Sequence, residues 1–305
     1  MENLRVPNVI GRREFRYRSW FLMKSCKVGI TACSDARPFS EEQGTERVLE
    51  VLREAGLDPV RSDCIFSGEA PFGISPRRRG EALNRFYEDH SIRAIFDLSG
   101  GNLSNEILGE LDYEVIASNP KPFWGYSDLT ALMNAVYART GGRSFLYNVR
   151  NLTGADGDRQ TAAFKAAVSG TDRRLFQVEW EAIQGHEMEG ILIGGNLRCF
   201  LKLAGTPYFP SFRDKILFLE TLGGSAAAVV SMVNQLRQMG AFEEISGLLL
   251  GTFTEAEAAL GVTALRELIR KAVGSSSFPM AKTQMVGHGE DSRCLVIGER
   301  YGCQF

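Results

Sequence analysis

The sequence predicts an α/β protein in which helices wrap a parallel sheet. Short apolar segments typical of strands alternate with segments of helical periodicity, and this alternation is typical of parallel sheets. Residues 151–186 lack long apolar runs and carry polar Gly and Asp turns, which indicates a linker joining two domains. We therefore predict an extension at 1–23, an N-terminal domain at 24–150, a linker at 151–188 and a C-terminal domain at 189–305.

Size and composition bound the classes of function. The 305 residues suit one large or two ordinary domains, at roughly 100–200 residues each. A hydrophobic fraction of 44% and a charged fraction of 24% are those of an ordinary globular protein. The net charge of −2 offers no electrostatic attraction for nucleic acid or an anionic membrane. No apolar run approaches the roughly 18 residues that span a bilayer. We expect neither nucleic acid nor membrane as a partner.

The cysteines and the N-terminus indicate a cytoplasmic protein. The six cysteines are scattered, without a C-x-x-C pair or a histidine at metal-ligand spacing, so we predict free buried thiols in a reducing compartment and no metal. Residues 1–22 are rich in arginine but lack the sustained apolar core of a secretory signal. We predict that the fold starts near Met23.

The individual elements follow from local patterns. Apolar segments predict strands at 28–32, near 60, and at 92–98, 123–124, 191–193, 215–220, 247–253 and 294–297. Apolar faces at helical spacing predict helices around 48–55, 82–87, 105–111, 129–137, 229–236 and 265–269, with Ser225 as an N-cap. We predict a loop at 67–76.

Ser127 lies on a sharp corner between a strand and a helix. Gly125 stands two positions before it and permits a tight turn, while the helix that follows ends at Gly141. The first amides of a helix have no internal partner and carry partial positive charge, so the Asp128 N–H could hold a developing oxyanion. The alternative is that Ser127 is merely an N-cap, a position that serine fills well.

A nucleophilic serine needs a base. Of the three histidines, His90 falls between a helix and a strand and is most simply a surface residue. His186 lies in the polar linker. His288 stands between two glycines in a loop, where backbone freedom would let the imidazole reach a cleft. A structural or solvated role for His288 stays open on this reasoning alone.

The base in turn needs an orienting carboxylate. Glu220 is the first polar residue at the end of an apolar strand, and ligands of parallel α/β sheets gather beyond such ends. The alternative for Glu220 is an ordinary solvated strand end. Asp97 and Asp128 are rivals, although Asp128 adjoins the nucleophile and is more simply a helix cap.

Several motifs together resemble the LD-carboxypeptidase family of serine peptidases. They are Gly-Tyr-Ser-Asp-Leu-Thr-Ala-Leu at 125–132, Gly-Gly-Asn at 100–102, Gly-Gly-Asn-Leu at 194–197 with Leu-Ala-Gly-Thr-Pro at 203–207, the strand at 216–220, and Gly287-His288. The family includes muramoyl-tetrapeptide carboxypeptidases and microcin C immunity peptidases. The resemblance covers roughly residues 24–300, and the order of the five motifs makes it specific.

The resemblance implies a Ser-Glu-His triad of Ser127, Glu220 and His288, with an oxyanion hole from the N–H groups of Asp128 and Gly101. It implies a Rossmann-like N-terminal domain carrying the serine, a smaller C-terminal α/β domain carrying the other two residues, and a site at their interface. It further implies a homodimer without metal or cofactor. The implied activity is cleavage of an L,D-amide, such as that of the terminal D-Ala of murein tetrapeptide, in peptidoglycan recycling.

The glycine loop departs from the pattern of tetrapeptide carboxypeptidases, which read Arg-Gly-Gly-Tyr-Gly where this chain reads Ser-Gly-Gly-Asn-Leu at 99–103. That version is closer to the microcin-immunity branch, which hydrolyses peptidyl- or aminoacyl-nucleotides. We therefore expect Gly100, Asn102 and Trp124 to contact substrate. Trp124 and Trp180 could stack on a base, with core packing as the alternative for Trp124.

A protein of another class is the remaining alternative. The two Gly-Gly-Asn loops could cradle the phosphates of a nucleotide in a non-catalytic binding protein. Neither loop has the third glycine of a G-x-G-x-x-G fingerprint or the Gly-Lys-Ser/Thr of a P-loop.

Overall fold

The computed structural model describes residues 26–274 and 277–305, which form two six-stranded sheets with helices between and around them. The predicted extension at 1–23 lies outside the described residues. The strands within them are β1 Cys26–Thr31, β2 Leu57–Arg61, β3 Ile92–Asp97, β4 Phe123–Gly125, β5 Ser144–Leu146, β6 Glu181–Gln184, β7 Glu187–Asn196, β8 Lys215–Thr221, β9 Gly247–Phe253, β10 Met280–Lys282, β11 Leu295–Ile297 and β12 Arg300–Gln304.

The α-helices of the same residues are α1 Glu42–Glu54, α2 Pro76–Glu88, α3 Tyr113–Ser118, α4 Thr130–Thr140, α5 Gly157–Val168, α6 Leu197–Leu201, α7 Ala226–Gln238, α8 Ala241–Glu244, α9 Thr254–Leu260 and α10 Val262–Val273. Short 3₁₀ turns lie at Phe39–Glu41, Ser104–Glu110, Ser127–Leu129, Val149–Thr153 and Arg174–Phe176. The predicted N-cap at Ser225 is confirmed, since its side chain accepts a hydrogen bond from the Ala228 N–H.

The first sheet has the strand order β11-β5-β4-β3-β1-β2. Strands β2, β1, β3, β4 and β5 are parallel to their neighbours, while β11 runs antiparallel to β5. Parallel sheets are covered on both faces, which is why β1 and β3 are each buried at every position but one. The α/β fold class and the parallel sheet predicted from the sequence are confirmed.

The second sheet has the strand order β12-β7-β8-β9-β10-β6. Its four central strands are parallel, and the two edge strands β12 and β6 are antiparallel to their neighbours. The chain crosses between the sheets more than once, because β11 belongs to the first sheet although β10 and β12, on either side of it in the sequence, belong to the second. The strand predicted at 294–297 therefore exists but completes the N-terminal sheet.

The segment predicted as a linker is structured. It contains α5, which packs on the first sheet through Phe164 and Val168, and β6, which forms an edge of the second sheet. The sequence pattern missed α5 because only Gln160, Phe164 and Val168 of its twelve residues are buried.

Helix α4 lies between the two sheets and is buried on every side from Thr130 to Val136. The Asn134 side chain donates to the Gly194 carbonyl at 2.8 Å and accepts from the Gly194 N–H at 2.9 Å. A Cβ on Gly194 would lie 2.1 Å from the Phe218 carbonyl oxygen, and one on Gly195 would lie 2.6 Å from Thr130 Oγ1. Gly195 thus permits the close approach of α4 to β7, while Gly194 permits the close approach of β7 to β8 within the second sheet.

Trp124 on β4 is enclosed by other aromatic rings. Its ring stacks on Phe145 with 4.2 Å between centroids and on Phe96 with 5.6 Å, and the side chain is 1% exposed.

In the described parts of the chain, no helix combines the length and apolar character that crossing a bilayer needs.

We expect Trp124→Ala to lower the free energy of unfolding by about 3–5 kcal/mol, because it leaves a large cavity in the core. Urea denaturation followed by circular dichroism measures this change. Phe72, which is 73% exposed, provides the matched control. The Phe72→Ala variant should stay within about 0.5 kcal/mol of wild type. Equal losses for the two variants would show that Trp124 is not a core residue.

Candidate active site

Ser127 lies two residues after the end of β4 and begins the 3₁₀ turn that leads into α4. Its φ of 55° is the left-handed conformation, which a non-glycine residue adopts at a cost of order 1–3 kcal/mol. The turn is tight, since a Cβ on Gly125 would lie 3.0 Å from Leu129 Cβ. No side chain caps this turn or α4, so Ser127 is not an N-cap.

The structure brings together the three residues predicted to form a triad. His288 Nε2 lies 3.1 Å from Ser127 Oγ, and His288 Nδ1 lies 2.7 Å from Glu220 Oε2. With a proton on Nδ1, the imidazole donates to the carboxylate and its Nε2 accepts from the serine hydroxyl. Ser127 comes from the end of β4 and Glu220 from the end of β8, while His288 comes from the loop between β10 and β11.

The carboxylate and the imidazole are shielded from solvent. Glu220 is fully buried and the His288 side chain is 10% exposed. The alternative of a solvated strand end for Glu220 is therefore wrong. A buried carboxylate requires a charged or hydrogen-bonding partner, and the imidazole supplies one.

The His288 loop is held closely from both sides. A Cβ on Gly287 would lie 1.7 Å from Thr252 Oγ1, so only glycine fits where the loop passes β9. The Gly287 N–H donates to Ser292 Oγ at 3.2 Å, and the Gly289 carbonyl accepts from Asn151 Nδ2 at 3.1 Å. The imidazole is thereby presented to Ser127 by a constrained turn.

Tyr126 is a residue that sequence reasoning missed. Its ring meets the His288 ring edge-on with 4.9 Å between centroids, and the side chain is buried. Burial and the neighbouring Glu220 carboxylate raise the pKa of the Tyr126 phenol well above its ordinary value, so the phenol stays protonated. The signal available in the sequence was an aromatic residue immediately before the serine.

Asp128 does not cap the helix, which corrects the prediction. Its buried carboxylate accepts hydrogen bonds from Ser34 Oγ at 2.7 Å, from the Ser104 N–H at 2.8 Å and from Lys202 Nζ. Burial alone would raise the pKa of the Asp128 carboxyl, but the bonds from Lys202, Ser34 and the Ser104 N–H outweigh it and hold the pKa below its ordinary value. Asp128 is thus an ionised residue that holds the surrounding segments together, whereas Glu220 is the carboxylate that contacts His288.

The remaining candidates for the orienting carboxylate and the base, Asp97, His90 and His186, make no contact with Ser127, Glu220 or His288 in the described residues. Asp97 accepts from the N–H groups of Cys33 and Ser99, both at 2.7 Å, and so closes the ends of β1 and β3. Burial raises the pKa of the Asp97 carboxyl. His90 and His186 are both exposed, the first after α2 and the second between β6 and β7.

The glycine loop at 100–102 is bound to the segment after β1. Gly101 has a φ of 112°, and a Cβ there would lie 2.0 Å from Asp35 Oδ2. Asp35 Oδ1 accepts from the N–H groups of Asn102 and Leu103 at 2.8 and 3.1 Å. Among the described residues, the N–H groups of Gly101 and Asp128 have no acceptor. These are the two donors that the resemblance implies for an oxyanion hole.

Trp124 and Trp180 are core residues, which corrects the prediction that Trp124 contacts substrate. Trp124 is sealed within the first sheet's aromatic cluster, and Trp180 is 9% exposed and packs edge-on against Phe218. Neither ring can stack on a ligand. Asn102 is exposed, and Gly100 is half-buried.

Three cationic side chains near the glycine loop were also missed. Arg198 and Lys202, at the two ends of α6, donate to loop residues 101 and 102. Arg150 is exposed, and its Nη2 lies 3.8 Å from the position that a Cβ would take on Gly100. No carboxylate forms an ion pair with Arg150 within the residues that the structure covers. Positive charge after a strand end was the only signal for these residues.

All six cysteines are buried and none forms a disulfide, as the sequence predicts for the thiols themselves. Over 26–274 and 277–305, no group of three or more His, Cys, Asp or Glu side chains has an arrangement that could hold a metal ion.

Comparison with protein families places both halves of the chain. A family model described as the LD-carboxypeptidase N-terminal domain matches residues 28–147, and one described as its C-terminal domain matches 189–302. A Bacillus subtilis protein named "probable murein peptide carboxypeptidase" is 26% identical over 302 residues, which cover 93% of this chain and 90% of that protein. The microcin C7 self-immunity protein MccF of Escherichia coli is 24% identical over 293 residues, covering 85% of each chain.

Solved structures show the same two-domain fold. MccF in complex with glutamyl sulfamoyl guanosine superposes with a TM-score of 0.82 at 21% identity, covering 92% of this chain and 93% of that one. The muramoyltetrapeptide carboxypeptidase from Oxalobacter formigenes superposes with a TM-score of 0.77 at 23% identity, covering 92% and 95%. Because the two family models together span most of the sequence, the chain belongs to the LD-carboxypeptidase family.

Proposed function

We propose that this protein is a serine carboxypeptidase that hydrolyses an L,D-amide such as that of the terminal D-Ala of murein tetrapeptide. The observation that carries the proposal is the pair of hydrogen bonds joining Ser127, His288 and Glu220, 3.1 and 2.7 Å long. Nucleophile, base and orienting carboxylate within hydrogen-bond reach are the geometric signature of nucleophilic catalysis.

In the first half of the reaction Ser127 Oγ attacks the scissile carbonyl carbon while His288 Nε2 takes the hydroxyl proton. The carbonyl oxygen becomes an oxyanion that the N–H groups of Gly101 and Asp128 receive. The C–N bond then breaks, and the imidazolium returns its proton to the leaving amine. The products of this half are a free D-amino acid and an ester on Ser127.

In the second half His288 takes a proton from water, the hydroxide attacks the ester, and Ser127 regains its proton as the acid leaves. Glu220 holds the imidazole with Nδ1 protonated and stabilises the imidazolium formed in each half. Its burial strengthens that interaction, since charges attract more strongly away from water. Tyr126, a neutral ring against the imidazole, keeps the base from rotating away.

Arg150 favours a substrate that ends in a carboxylate. The guanidinium stands beside Gly100, next to the proposed oxyanion donor Gly101, and has no ion-pair partner in the described residues. Guanidinium groups bind carboxylates through two parallel hydrogen bonds. A peptide whose terminal D-residue is being removed would place its free carboxylate within this region of the site.

Hydrolysis of aminoacyl- or peptidyl-nucleotides is the second candidate. It is favoured by the Gly-Gly-Asn loop and by the similarity to MccF, which has been solved with glutamyl sulfamoyl guanosine. The burial of Trp124 and Trp180 counts against it, because neither can stack on a base. Parallel turnover of an L,D-murein tetrapeptide and an aminoacyl-sulfamoyl adenosine by one preparation separates the two. We expect faster turnover of the tetrapeptide.

We expect Ser127→Ala to reduce D-Ala release by at least about 10³-fold while the protein stays folded, because the attacking oxygen is lost. Release is measured with a coupled D-amino acid assay and folding by circular dichroism. Ser75, a true N-cap whose Oγ accepts from the Arg78 N–H, provides the matched control. Ser75→Ala should retain activity. Near-normal activity of Ser127→Ala would refute the nucleophile.

A fluorophosphonate probe should label wild type on Ser127 and leave Ser127→Ala unlabelled, because only an activated serine reacts. Intact-mass and peptide mass spectrometry measure the modification. Nucleotide binding by wild type without any labelling would instead support a non-catalytic binding protein.

We expect Arg150→Met to raise KM for the tetrapeptide by about 10- to 100-fold with little change in kcat, because a charged hydrogen bond to the substrate carboxylate is lost. The same substitution should leave turnover of the C-terminally amidated peptide unaffected. Arg77→Met, which removes an exposed arginine paired with Glu81, serves as the control. Equal KM effects on both peptides would rule out a carboxylate contact.

A further inference from the structure

The short helix α6, which follows β7 of the second sheet, is hydrogen-bonded to the loop that carries the Gly101 N–H. Arg198 Nη2 donates to the Gly101 carbonyl at 3.1 Å, and its Nη1 donates to Asn102 Oδ1 at 2.8 Å. Lys202 Nζ donates to the Asn102 carbonyl at 2.7 Å. Lys202 lies four positions after Arg198, so both side chains project from one side of α6 toward the loop.

Lys202 also reaches the second proposed donor. Its Nζ donates to Asp128 Oδ1 as well as to the loop, and its side chain is 16% exposed while that of Asp128 is fully buried. Lys202 therefore links Asp128, which follows Ser127 in the turn, to the loop that carries Gly101. A buried carboxylate bound by a cation and two further donors has little freedom to move.

The rest of the loop is fixed from the opposite side. The Gly100 carbonyl accepts from the Asp35 N–H at 3.2 Å, and Asp35 Oδ1 holds the Asn102 N–H. On either side of the Gly101 N–H, the carbonyls of Gly100 and Gly101 each accept a hydrogen bond and the Asn102 N–H donates one. The peptide that carries the free N–H therefore has a set orientation.

We propose that Arg198 and Lys202 are positioning residues for the oxyanion hole, holding the Gly101 and Asp128 peptide groups at the spacing that a tetrahedral intermediate requires. Both donors belong to the half of the molecule that carries Ser127, whereas α6 follows β7 of the other half. The oxyanion hole is thus complete only when the two halves are docked. This inference rests on the proposed serine mechanism.

Arg198 and Lys202, which together we call the clamp, act on the oxyanion donors, so their position predicts a change in kcat rather than in substrate binding. Preorganised donors act on the charge that develops in the transition state, and a displacement of about 1 Å in such groups can cost about 100-fold in rate. Arg198 is exposed, so its removal should leave the core intact. Lys202→Met would strand the buried Asp128 carboxylate and endanger the fold, which makes Arg198→Met the decisive variant.

The experiment measures kcat and KM for D-Ala release from the L,D-tetrapeptide, with active sites titrated by the fluorophosphonate probe. For Arg198→Met we expect kcat per active site to fall about 10- to 100-fold, with KM within about threefold of wild type. The melting temperature should not change. Arg198→Lys should recover part of the loss, because an ammonium can donate to the Gly101 carbonyl but cannot span to Asn102 as well.

Arg300→Met is the matched control, since it removes an exposed arginine paired with Glu189 on β7 and should keep full kcat. The clamp is overturned if Arg198→Met keeps the wild-type kcat per active site, or if its effect appears in KM alone. Wild-type protein that neither hydrolyses the peptide nor reacts with the probe would instead overturn the serine mechanism, and the clamp with it.

For Lys202 the double variant Asp128→Asn with Lys202→Met removes the buried charge together with its partner. We expect it to fold, because no unpaired ion remains, and to show reduced kcat with a nearly unchanged KM. Recovery of wild-type kcat in this folded variant would contradict a positioning role for Lys202.

Discussion

The docking of α4 against the end of β7 is the contact on which the site depends. Asn134 satisfies both backbone groups of Gly194, and Thr130 Oγ1 accepts from the Asn196 N–H at 3.0 Å. Helix α4 begins at the turn that holds Ser127, and β7 is the neighbour of β8, which holds Glu220. Polar groups buried in a junction must be paired, so the two halves can dock in one register only. The distance between Ser127 and Glu220 follows from that register.

The site also gathers features that are unfavourable for stability alone. Ser127 has a left-handed backbone, Glu220 is a fully buried carboxyl group, and Asp128 is a buried charge nearby. Each is compensated locally: the serine by the packed turn, Glu220 by the imidazole, and Asp128 by three donors. Strain and buried charge that persist in a well-packed fold are typical of sites held ready for chemistry.

The sequence predicted much of the fold because its strongest patterns are local. The apolar runs of β1, β3, β8 and β9 and the periodicity of α4 correspond to buried elements. Helix α5 was missed because it is amphipathic with few buried residues. The pairing of β11 with β5 joins segments about 150 residues apart in the sequence, and no local pattern encodes such a contact.

In the candidate site, too, some residues could be predicted from local patterns and others could not. The Ser127 corner and the strand end at Glu220 were legible from the sequence, and the resemblance singled out His288. Asp128 was assigned to a cap because its partners, Ser34, Ser104 and Lys202, come from three separate elements. Trp124 shows the converse limit. Its position close to the Ser127 motif in the sequence suggested a contact with substrate. Alternate side chains of a strand point to opposite faces of the sheet, however, and the Trp124 side chain points into the core.

The late arrival of β11 has a consequence during synthesis on the ribosome. The first sheet cannot close its outer edge until residues 295–297 have emerged, after nearly all of the second sheet. Until then β5 offers unpaired backbone groups to any other nascent strand. This open edge lasts while residues 147–294 are synthesised, about half of the chain, even though β1 to β5 are complete by residue 146.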